Sequence, residues 1–224
     1  MEVNSRTHEE VESTDYEIRY SFFYLFIKRL ADIIISAVAL FFLSPVFVLV
    51  LLLDVFSREN RGPLFYKQVR VGLHGVKFKM FKFRSMIVDA DKKLYSNPEL
   101  YKKYVNNNFK LEPQDDPRIT KIGKLIRRTS IDEIPQFINI IKGDMSLIGP
   151  RPVIEKELVE YDEKKLLSVK PGAMGLWQAS GRSNVGYPKR AEIEMHYIDE
   201  AGLWVDCKIM VKNIKNIFNR NGAY

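Results

Sequence analysis

The dominant feature of the hydrophobic pattern is an uncharged apolar run near the N-terminus. Ile33–Leu53 is 21 residues long and carries no charge. As a helix it would extend about 32 Å, enough to cross the hydrocarbon core of a bilayer. Because the run is apolar on every face, the pattern favours a membrane segment over a buried core helix. A signal peptide fits poorly, since the run is too long for one and an acidic stretch precedes it.

Two details favour a helix that enters one leaflet and returns. Pro45 follows Ser44 near the middle of the run, and proline bends or breaks a helix by removing a hydrogen bond. Basic residues flank both ends of the run, at Lys28, Arg29, Arg58, Arg61, Lys67 and Arg70. Such flanks stay in the cytoplasm. We therefore predict a re-entrant helix over 25–57, broken at Ser44–Pro45, where the serine hydroxyl satisfies a freed backbone group. A spanning helix is the alternative.

The remaining chain, 58–224, predicts a compact cytosolic domain of the α+β class. Leu64–Val71 and Val76–Arg84 have the pattern of two hairpin strands, joined by a turn at 72–75. Lysine and arginine alternate with apolar residues in the second strand, which gives the hairpin one strongly basic face. Met80-Phe81 interrupts this alternation and predicts a bulge.

Helical patterns follow the hairpin. They cover 86–105, 121–127, 131–141, 152–167, a helix that opens at Tyr187–Pro188, and 203–219. Lysines and tyrosines interleave in the first segment, which suits a membrane interface and an ordinary solvated helix equally well. The last segment has one apolar face, which would pack on the core or lie on a membrane. We favour the core.

Charge is distributed unevenly along the chain. The net charge is +7, yet residues 1–24 form an acidic-leaning tail, and 57–128 hold 18 basic and 7 acidic residues. This basic stretch attracts anions such as nucleic acid, anionic lipid or phosphorylated substrates. We exclude nucleic acid because no recognition motif appears. The single cysteine excludes an internal disulfide framework.

Asp132 and Glu133 are the strongest candidates for chemistry. Ser130 and Glu133 match a capping box, which predicts both acids in the first turn of the helix over 131–141. The positive end of the helix dipole favours carboxylates there. The alternative is a well-capped helix with two solvated acids.

Arginines near the acid pair favour phosphate chemistry. Arg127 and Arg128 precede the acids, and Arg151 lies between two prolines. A guanidinium held in this way binds phosphate in a planar, bidentate manner. Adjacent carboxylates would divide the labour, one attacking a phosphorus and the other holding Mg²⁺. The residues thus predict phosphate chemistry at a membrane.

A set of short motifs makes the prediction more specific. In chain order they are Lys28-Arg29-Leu30-Ala31-Asp32, Leu43-Ser44-Pro45, Gly62-Pro63-Leu64-Phe65, Lys82-Phe83-Arg84-Ser85-Met86, Ser130-Ile131-Asp132-Glu133-Ile134-Pro135-Gln136, Lys142-Gly143-Asp144-Met145-Ser146-Leu147-Ile148-Gly149-Pro150-Arg151-Pro152, Lys170-Pro171-Gly172, Gly175-Leu176-Trp177-Gln178 and Ser180-Gly181-Arg182. In this order they resemble the bacterial sugar transferases, the monotopic phosphoglycosyl transferases, over roughly residues 25–224.

The resemblance implies a reaction. Members of that family transfer a sugar-1-phosphate from a UDP-sugar to polyprenyl (undecaprenyl) phosphate and release UMP. The mechanism is ping-pong with Mg²⁺, and the product enters exopolysaccharide or capsule assembly. The family also implies a monotopic protein of the bacterial inner membrane, with its catalytic domain on the cytoplasmic face. The sequence does not identify the sugar, and a homo-oligomer is left open.

The resemblance also assigns residues. By motif position Asp132 is the nucleophile, and Glu133 beside it binds the metal, with Asp132 as the second metal-binding carboxylate. Four basic residues match phosphate-binding positions, at Arg127, Arg151, Lys82 and Arg84. Gln178 and Arg182 fall in the stretch that we assign to the nucleotide-sugar.

Two rival functions stay open on the sequence. One is a membrane-bound glycosyltransferase that releases UDP and uses Asp115-Asp116 as its metal site. The other is a basic membrane adaptor without enzymatic activity, whose binding would weaken smoothly with salt.

Overall fold

The computed structural model describes residues 20–57, 62–107, 111, 114–181 and 185–218. Its first element is helix α1, Phe22–Phe56, which is 35 residues long. The helix is long and apolar enough to cross a membrane. It begins three residues earlier than predicted, within the segment assigned to the tail.

The predicted break at Ser44–Pro45 is wrong in that the helix is not interrupted, because α1 continues through both residues. The predicted bend at this position stays a prediction. Proline has no N–H to donate to the Phe41 carbonyl one turn earlier. The Ser44 hydroxyl donates to that carbonyl instead, with an oxygen–oxygen distance of 2.7 Å. The predicted role of the serine is therefore confirmed, and it accounts for the uninterrupted helix.

Both halves of α1 pack on the same globular domain. In the N-terminal half, Asp32 accepts hydrogen bonds from the Leu147 backbone at 2.8 Å and the Ser146 hydroxyl at 3.1 Å. In the C-terminal half, Asp54 pairs with Arg84 at 2.9 Å. Most side chains between Asp32 and Asp54 are exposed, including Phe41 at 74% and Phe42 at 73%. The apolar centre of the helix is thus directed away from the domain.

The predicted hairpin is confirmed. Strand β1, Phe65–Val71, pairs antiparallel with strand β2, Lys77–Phe83. The register is continuous from end to end, so the predicted bulge at Met80-Phe81 is wrong. At this interruption the Phe81 ring packs against Phe65, with ring centres 6.2 Å apart. The side chain of Asn139 accepts a hydrogen bond from the Phe81 N–H at 2.9 Å and donates to the Lys79 carbonyl at 2.8 Å. This asparagine joins the outer edge of β2 to a helix.

The predicted helix over 86–105 is divided into two. Helix α2 covers Ala90–Tyr95 and helix α3 covers Pro98–Asn106. Asn97 caps α3 by accepting from the Leu100 N–H at 3.1 Å, and Pro98 occupies the first helical position. Both features start a new helix rather than continue the old one.

The following segments are shorter than predicted. Helix α4, Lys121–Arg128, is confirmed. The helix over 131–141 is instead a 3-10 turn at Ile131–Glu133 and helix α5, Gln136–Lys142. The segment 152–167 forms a 3-10 helix, Glu155–Glu160, and the one-turn helix α6, Glu163–Leu166. The continuous helix predicted there is therefore wrong.

A parallel strand pair that the pattern did not predict lies at the centre of the domain. Strand β3, Ser146–Ile148, pairs with strand β4, Gly172–Met174. The backbones cross so closely beyond β3 that a Cβ on Gly149 would lie 2.6 Å from the Lys170 carbonyl oxygen. Only glycine fits at such a crossing, which explains the glycines of the motifs that contain Gly149 and Gly172.

Three helices complete the domain. They are α7, Leu176–Ser180, α8, Lys189–Glu200, and α9, Leu203–Phe218. The larger core cluster joins the hairpin, α5, β3, α8 and α9. A smaller cluster joins Val50 of α1 to Phe83 of β2 and Ile126 of α4. Helix α1 is thus part of the hydrophobic core at its C-terminal half.

Candidate functional site

Asp132 and Glu133 lie in the 3-10 turn between α4 and α5. The predicted capping box is wrong: Ser130 has a left-handed backbone, with φ of 56°, and makes no side-chain cap. Ile131 and Ile134 pack against the smaller core cluster, and this packing fixes the turn. Tertiary contacts have overridden a local capping pattern, so the acids do not lie in the first turn of a long helix.

The hairpin brings a lysine to the acid pair. Lys82 of β2 forms an ion pair with Glu133, with a nitrogen–oxygen distance of 2.8 Å. Burial, together with the neighbouring Glu133 carboxylate, raises the pKa of Asp132 to about 6. Lys82 and Arg127 act in the opposite direction and favour the ionised form. The site therefore holds a partly desolvated Asp132 carboxylate, and the nearby cations favour its ionised, reactive form.

Arg127 is positioned by a neutral partner. It lies at the C-terminal end of α4, and its Nε donates to the Ser85 hydroxyl at 2.7 Å. Helix α4 approaches residue 85 so closely that a Cβ on Gly123 would collide with the Ser85 carbonyl oxygen. Within the described part of the chain no carboxylate forms an ion pair with Arg127. Its positive charge is left for the acid pair and for a ligand.

Arg84 has structural contacts. Its guanidinium is buried, pairs with Asp54 of α1 and donates through Nε to the Pro63 carbonyl at 2.8 Å. These contacts tie the end of the hairpin to the membrane-type helix. Its predicted role in binding phosphate stays a prediction.

Arg151 lies in a different environment from Arg127. Its NH1 donates to both carboxylate oxygens of Glu157, at 3.1 and 2.9 Å. Its backbone N–H donates to Glu194 at 2.6 Å, and Arg70 also reaches Glu157, at 3.4 Å. Among the described residues its ion-pair partner is Glu157, and not Asp132 or Glu133. The structure does not bring Arg151 into contact with the acid pair.

The predicted nucleotide-sugar residues are only partly described. Arg182 lies outside the described residues. Gln178 is half-buried, and its Oε1 has no hydrogen-bond partner among the described residues. Nearby, the Arg190 guanidinium stacks 4.2 Å from the centre of the Trp177 ring. The assignment of Gln178 and Arg182 stays a prediction.

In the acid pair assigned to the rival glycosyltransferase, Asp116 is already paired within the protein, whereas Asp115 is exposed. Asp116 is buried and accepts from Arg118 Nε at 2.8 Å and NH2 at 2.7 Å. Arg118 also lowers the pKa of Asp116 against the effect of burial. A carboxylate paired in this way is a poor metal ligand, which weighs against that rival.

Three functional candidates were missed from the sequence. Ser85 holds Arg127, Glu157 neutralises Arg151, and Glu194 lies beneath the Arg151 backbone. Ser85 lies within the motif Lys82-Phe83-Arg84-Ser85-Met86, so the sequence could have identified it. The two glutamates lie in segments where glutamate is common, so only the fold reveals their partners.

Asp132 and Glu133 suit a magnesium ion. The described part of the chain has no group of three or more His, Cys, Asp or Glu side chains that would hold a metal by itself. Magnesium, however, binds through one or two carboxylates and completes its shell with water and substrate phosphates. The mutual repulsion seen in the pKa of Asp132 is what a divalent cation would relieve. The donor set fits such an ion, for which Glu133 would be the more exposed ligand.

Comparison with known proteins identifies the family to which the chain is similar. The profile of the family described as "Bacterial sugar transferase" matches residues 23–220. The chain is 42% identical over 204 residues to an undecaprenyl-phosphate galactose phosphotransferase of Salmonella typhimurium, covering 89% of this chain and 42% of that protein. It is 42% identical over 203 residues to the exopolysaccharide production protein ExoY of Sinorhizobium fredii, covering 88% of each. It is also 33% identical over 210 residues to the UDP-glucose:undecaprenyl-phosphate glucose-1-phosphate transferase of Escherichia coli, covering 88% of this chain and 41% of that protein.

The chain thus spans about two fifths of the Salmonella and Escherichia relatives and most of ExoY. The matched region contains the acid pair, the hairpin lysine and both arginines described above. The expectation drawn from the ordered motifs is confirmed, and this protein belongs to the bacterial sugar transferase family.

Proposed function

We propose that the chain transfers a sugar-1-phosphate from a UDP-sugar to a membrane polyprenyl phosphate and releases UMP. The observation that carries the proposal is the cluster of Asp132, Glu133, Lys82 and Arg127 beside a membrane-type helix. Relatives named as undecaprenyl-phosphate sugar phosphotransferases support the same donor and acceptor classes. The product would enter exopolysaccharide or capsule assembly.

The reaction has two displacement steps at one phosphorus. An Asp132 carboxylate oxygen attacks the sugar-bearing phosphorus, a new O–P bond forms, and the bridging P–O bond breaks to release UMP. A phosphate oxygen of the polyprenyl phosphate then attacks the same phosphorus and breaks the bond to Asp132. The carboxylate is regenerated, and the sugar-1-phosphate lies on the lipid.

The chain's own residues support each step by charge and position. Phosphoryl transfer depends mainly on alignment and charge neutralisation. Arg127 and Lys82 offset the negative charge of the two substrates and hold Asp132 ionised. Partial burial removes water from Asp132 and leaves its oxygen more nucleophilic. A magnesium ion held by Glu133 and Asp132 would supply further charge neutralisation at the substrate phosphates.

We further propose that α1 is re-entrant and that the globular domain lies on the cytoplasmic face. Tyr24 and Asp54 are about 45 Å apart along a straight helix, more than the hydrocarbon core is thick. Both residues nevertheless contact the same domain, through Asp206 and Arg84. A helix that crossed the bilayer would put one of these contacts on the far side.

Labelling from one side tests this topology. Cysteines placed at Ser21 and at Ser57, each in a Cys207→Ser background, should both react with a membrane-impermeant maleimide from the cytoplasmic side of inverted vesicles. If one of the two cysteines reacted only when the maleimide was added on the opposite side of the membrane, α1 would be a spanning helix.

The activity is tested by the nucleotide that leaves. Detergent-solubilised protein is incubated with Mg²⁺, undecaprenyl phosphate and a panel of UDP-sugars, with Asp132→Asn and the exposed-acid control Asp115→Asn alongside. The proposal expects UMP, full turnover only with lipid, and activity in Asp115→Asn but none in Asp132→Asn. Release of UDP would indicate an ordinary glycosyltransferase, and no release with any donor would favour the adaptor.

A further inference from the structure

One face of strand β1 leads away from the acid pair. Antiparallel pairing places Tyr66 directly opposite Lys82, and Lys82 forms the ion pair with Glu133. Residues that lie directly opposite each other share a face of the hairpin. Side chains two residues apart also point to the same side of a strand, about 7 Å from each other, so Gln68 and Arg70 follow Tyr66 on this face. The three side chains form a strip that starts beside the acid pair and extends along β1.

The first position of the strip carries an exposed aromatic ring. Tyr66 is 47% exposed. Its neighbour Phe65 points to the opposite face of the hairpin, where its ring packs against Phe81 and Phe83. The aromatic cluster that joins the hairpin to α1 therefore lies on the other side of the strand from the Tyr66 ring. An exposed aromatic ring beside a cationic site is a stacking surface for a planar ligand ring.

The second position carries an amide of fixed orientation. Arg70 is buried, and its NH2 donates to Gln68 Oε1 at 2.7 Å. Its NH1 donates to the Pro152 carbonyl at 2.8 Å, which holds the guanidinium in place. Because a guanidinium only donates, the oxygen of the Gln68 amide faces Arg70 and the nitrogen faces away from it. No acceptor among the described residues takes a hydrogen bond from Gln68 Nε2, so this half-buried donor is available to a ligand.

The chemistry of the strip fits a uracil base. Uracil is planar, and its O4 atom accepts a hydrogen bond, whereas cytosine carries an amino donor at the same position. Tyr66 offers the stacking surface, and Gln68 Nε2 offers the donor. In a UDP-sugar, a phosphate and a ribose separate the base from the sugar-bearing phosphorus. The base therefore has to lie at a distance from the acid pair, as the strip does.

We propose that Tyr66 and Gln68 bind the base of the nucleotide donor: the uracil ring stacks on Tyr66, and Gln68 Nε2 donates to uracil O4. The inference rests on the proposed use of a UDP-sugar and names the residues that select its base. The sugar ring is the other candidate ligand for Tyr66. The sugar is bonded through one oxygen to the reacting phosphorus and lies against the acid pair, whereas the free donor of Gln68 lies further along the strand.

The binding of UMP and CMP tests the site without turnover. Both nucleotides lack the sugar, and they differ only in the base. Isothermal titration of the detergent-solubilised chain with Mg²⁺ gives both dissociation constants for the wild type, Tyr66→Ala, Tyr66→Phe, Gln68→Ala and Gln68→Glu. The matched controls are Tyr95→Ala and Gln114→Glu, which change an exposed tyrosine and an exposed glutamine in other segments of the chain. Thermal unfolding shows that each variant is folded.

The proposal expects the ring and the amide to have different effects. Tyr66→Ala should weaken the binding of UMP about 10-fold, the scale of one base stacked on an aromatic ring, and Tyr66→Phe should retain it. The wild type should prefer UMP to CMP. Gln68→Ala should remove most of this preference, and Gln68→Glu should reverse it, because a carboxylate accepts from the cytosine amino group and repels uracil O4. Both controls should keep the wild-type affinity and preference.

The same titrations separate this inference from the proposed function. Unchanged UMP affinity in Tyr66→Ala, together with an unchanged preference in both Gln68 variants, would overturn the inference. Weaker binding of a UDP-sugar but not of UMP in Tyr66→Ala would place the ring on the sugar and would also overturn it. In both cases the binding of UMP by the wild type would leave the proposed function intact. A wild type that binds neither UMP nor a UDP-sugar would reject the donor class, and with it both proposals.

Discussion

Arg127 and Arg151 look equivalent in the sequence, but the fold treats them differently. Arg127 donates to a neutral hydroxyl, and burial lowers its pKa below the ordinary value. Burial acts in the same direction on Arg151, but the Glu157 carboxylate outweighs it and raises the pKa. A guanidinium with a neutral partner keeps its charge available for a ligand. A guanidinium that is already paired with a carboxylate contributes mainly to the structure around it.

The comparison teaches that a motif arginine acquires its role from its partner. Ser85 orients Arg127 toward Asp132 without neutralising it. Glu157 neutralises Arg151 and also accepts from the Ile154 backbone at 3.0 Å. We therefore expect Arg127 to matter most for turnover and Arg151 to matter for stability at least as much as for turnover.

Within this comparison of arginines, the largest effect is expected from Arg127→Ala. Removing one charged group that stabilises developing charge costs about 100-fold in kcat/KM. The matched control is Arg128→Ala, since Arg128 is the next residue on α4 and is exposed. UMP release measured for both variants checks the prediction. Equal losses would mean that general positive charge on α4, rather than the placement of Arg127, supports the reaction.

The second effect concerns the stability of the Arg151–Glu157 pair. Arg151→Ala should lower the free energy of unfolding by about 2 kcal/mol, less than for a fully buried pair, because Arg70 and Ile154 still contact Glu157. Adding Glu157→Gln should restore much of this loss, since the uncompensated charge is removed. Thermal unfolding in detergent gives both values. If the double variant regains stability and full activity, Arg151 binds no substrate phosphate.

The third effect is a pH dependence of stability. Burial raises the pKa of Glu194 to about 8, so the folded protein retains a proton that the unfolded chain has lost. Stability then falls as pH rises between the ordinary glutamate pKa and about 8, by up to about 1.4 kcal/mol per pH unit. Glu194→Gln, which is neutral at every pH, should become progressively more stable than the wild type over this range. A difference that does not change with pH would contradict the assignment.

The smallest effect is expected from Ser85→Ala. Arg127 would keep its charge and lose its orienting hydrogen bond, which is worth about 1 kcal/mol or roughly a five-fold loss of kcat/KM. Ser85→Thr retains a hydroxyl and should recover activity. Assays of both variants check the positioning role, and loss in Ser85→Thr equal to that in Ser85→Ala would point to packing instead.

The sequence predicted the features that depend on local pattern. The apolar helix, the hairpin and the last helix follow from hydrophobic period and length, and the structure contains all three. The Ser44 hydrogen bond followed from the chemistry of proline, although the helix does not break there. The motifs also identify the acid pair, Lys82 and Arg127, and Lys82 does contact Glu133.

Features set by contacts between distant segments were missed. The capping pattern at Ser130 failed because Ile131 and Ile134 pack on the core and impose a left-handed residue before the turn. The strand pair of β3 and β4 has three residues per strand, too few for a period to show. The partner of Arg151 lies six positions away across a turn that no local pattern indicates.

The central claim is that Asp132 carries the sugar-1-phosphate during the reaction. The direct measurement is the intact mass of the protein after incubation with Mg²⁺ and its UDP-sugar, without polyprenyl phosphate, followed by peptide mapping. The account predicts a mass increase of one sugar-phosphate group on the peptide that contains Asp132, its loss when polyprenyl phosphate is added, and no increase in Asp132→Asn. UMP release and lipid glycosylation without any adduct, or an adduct that persists in Asp132→Asn, would contradict it.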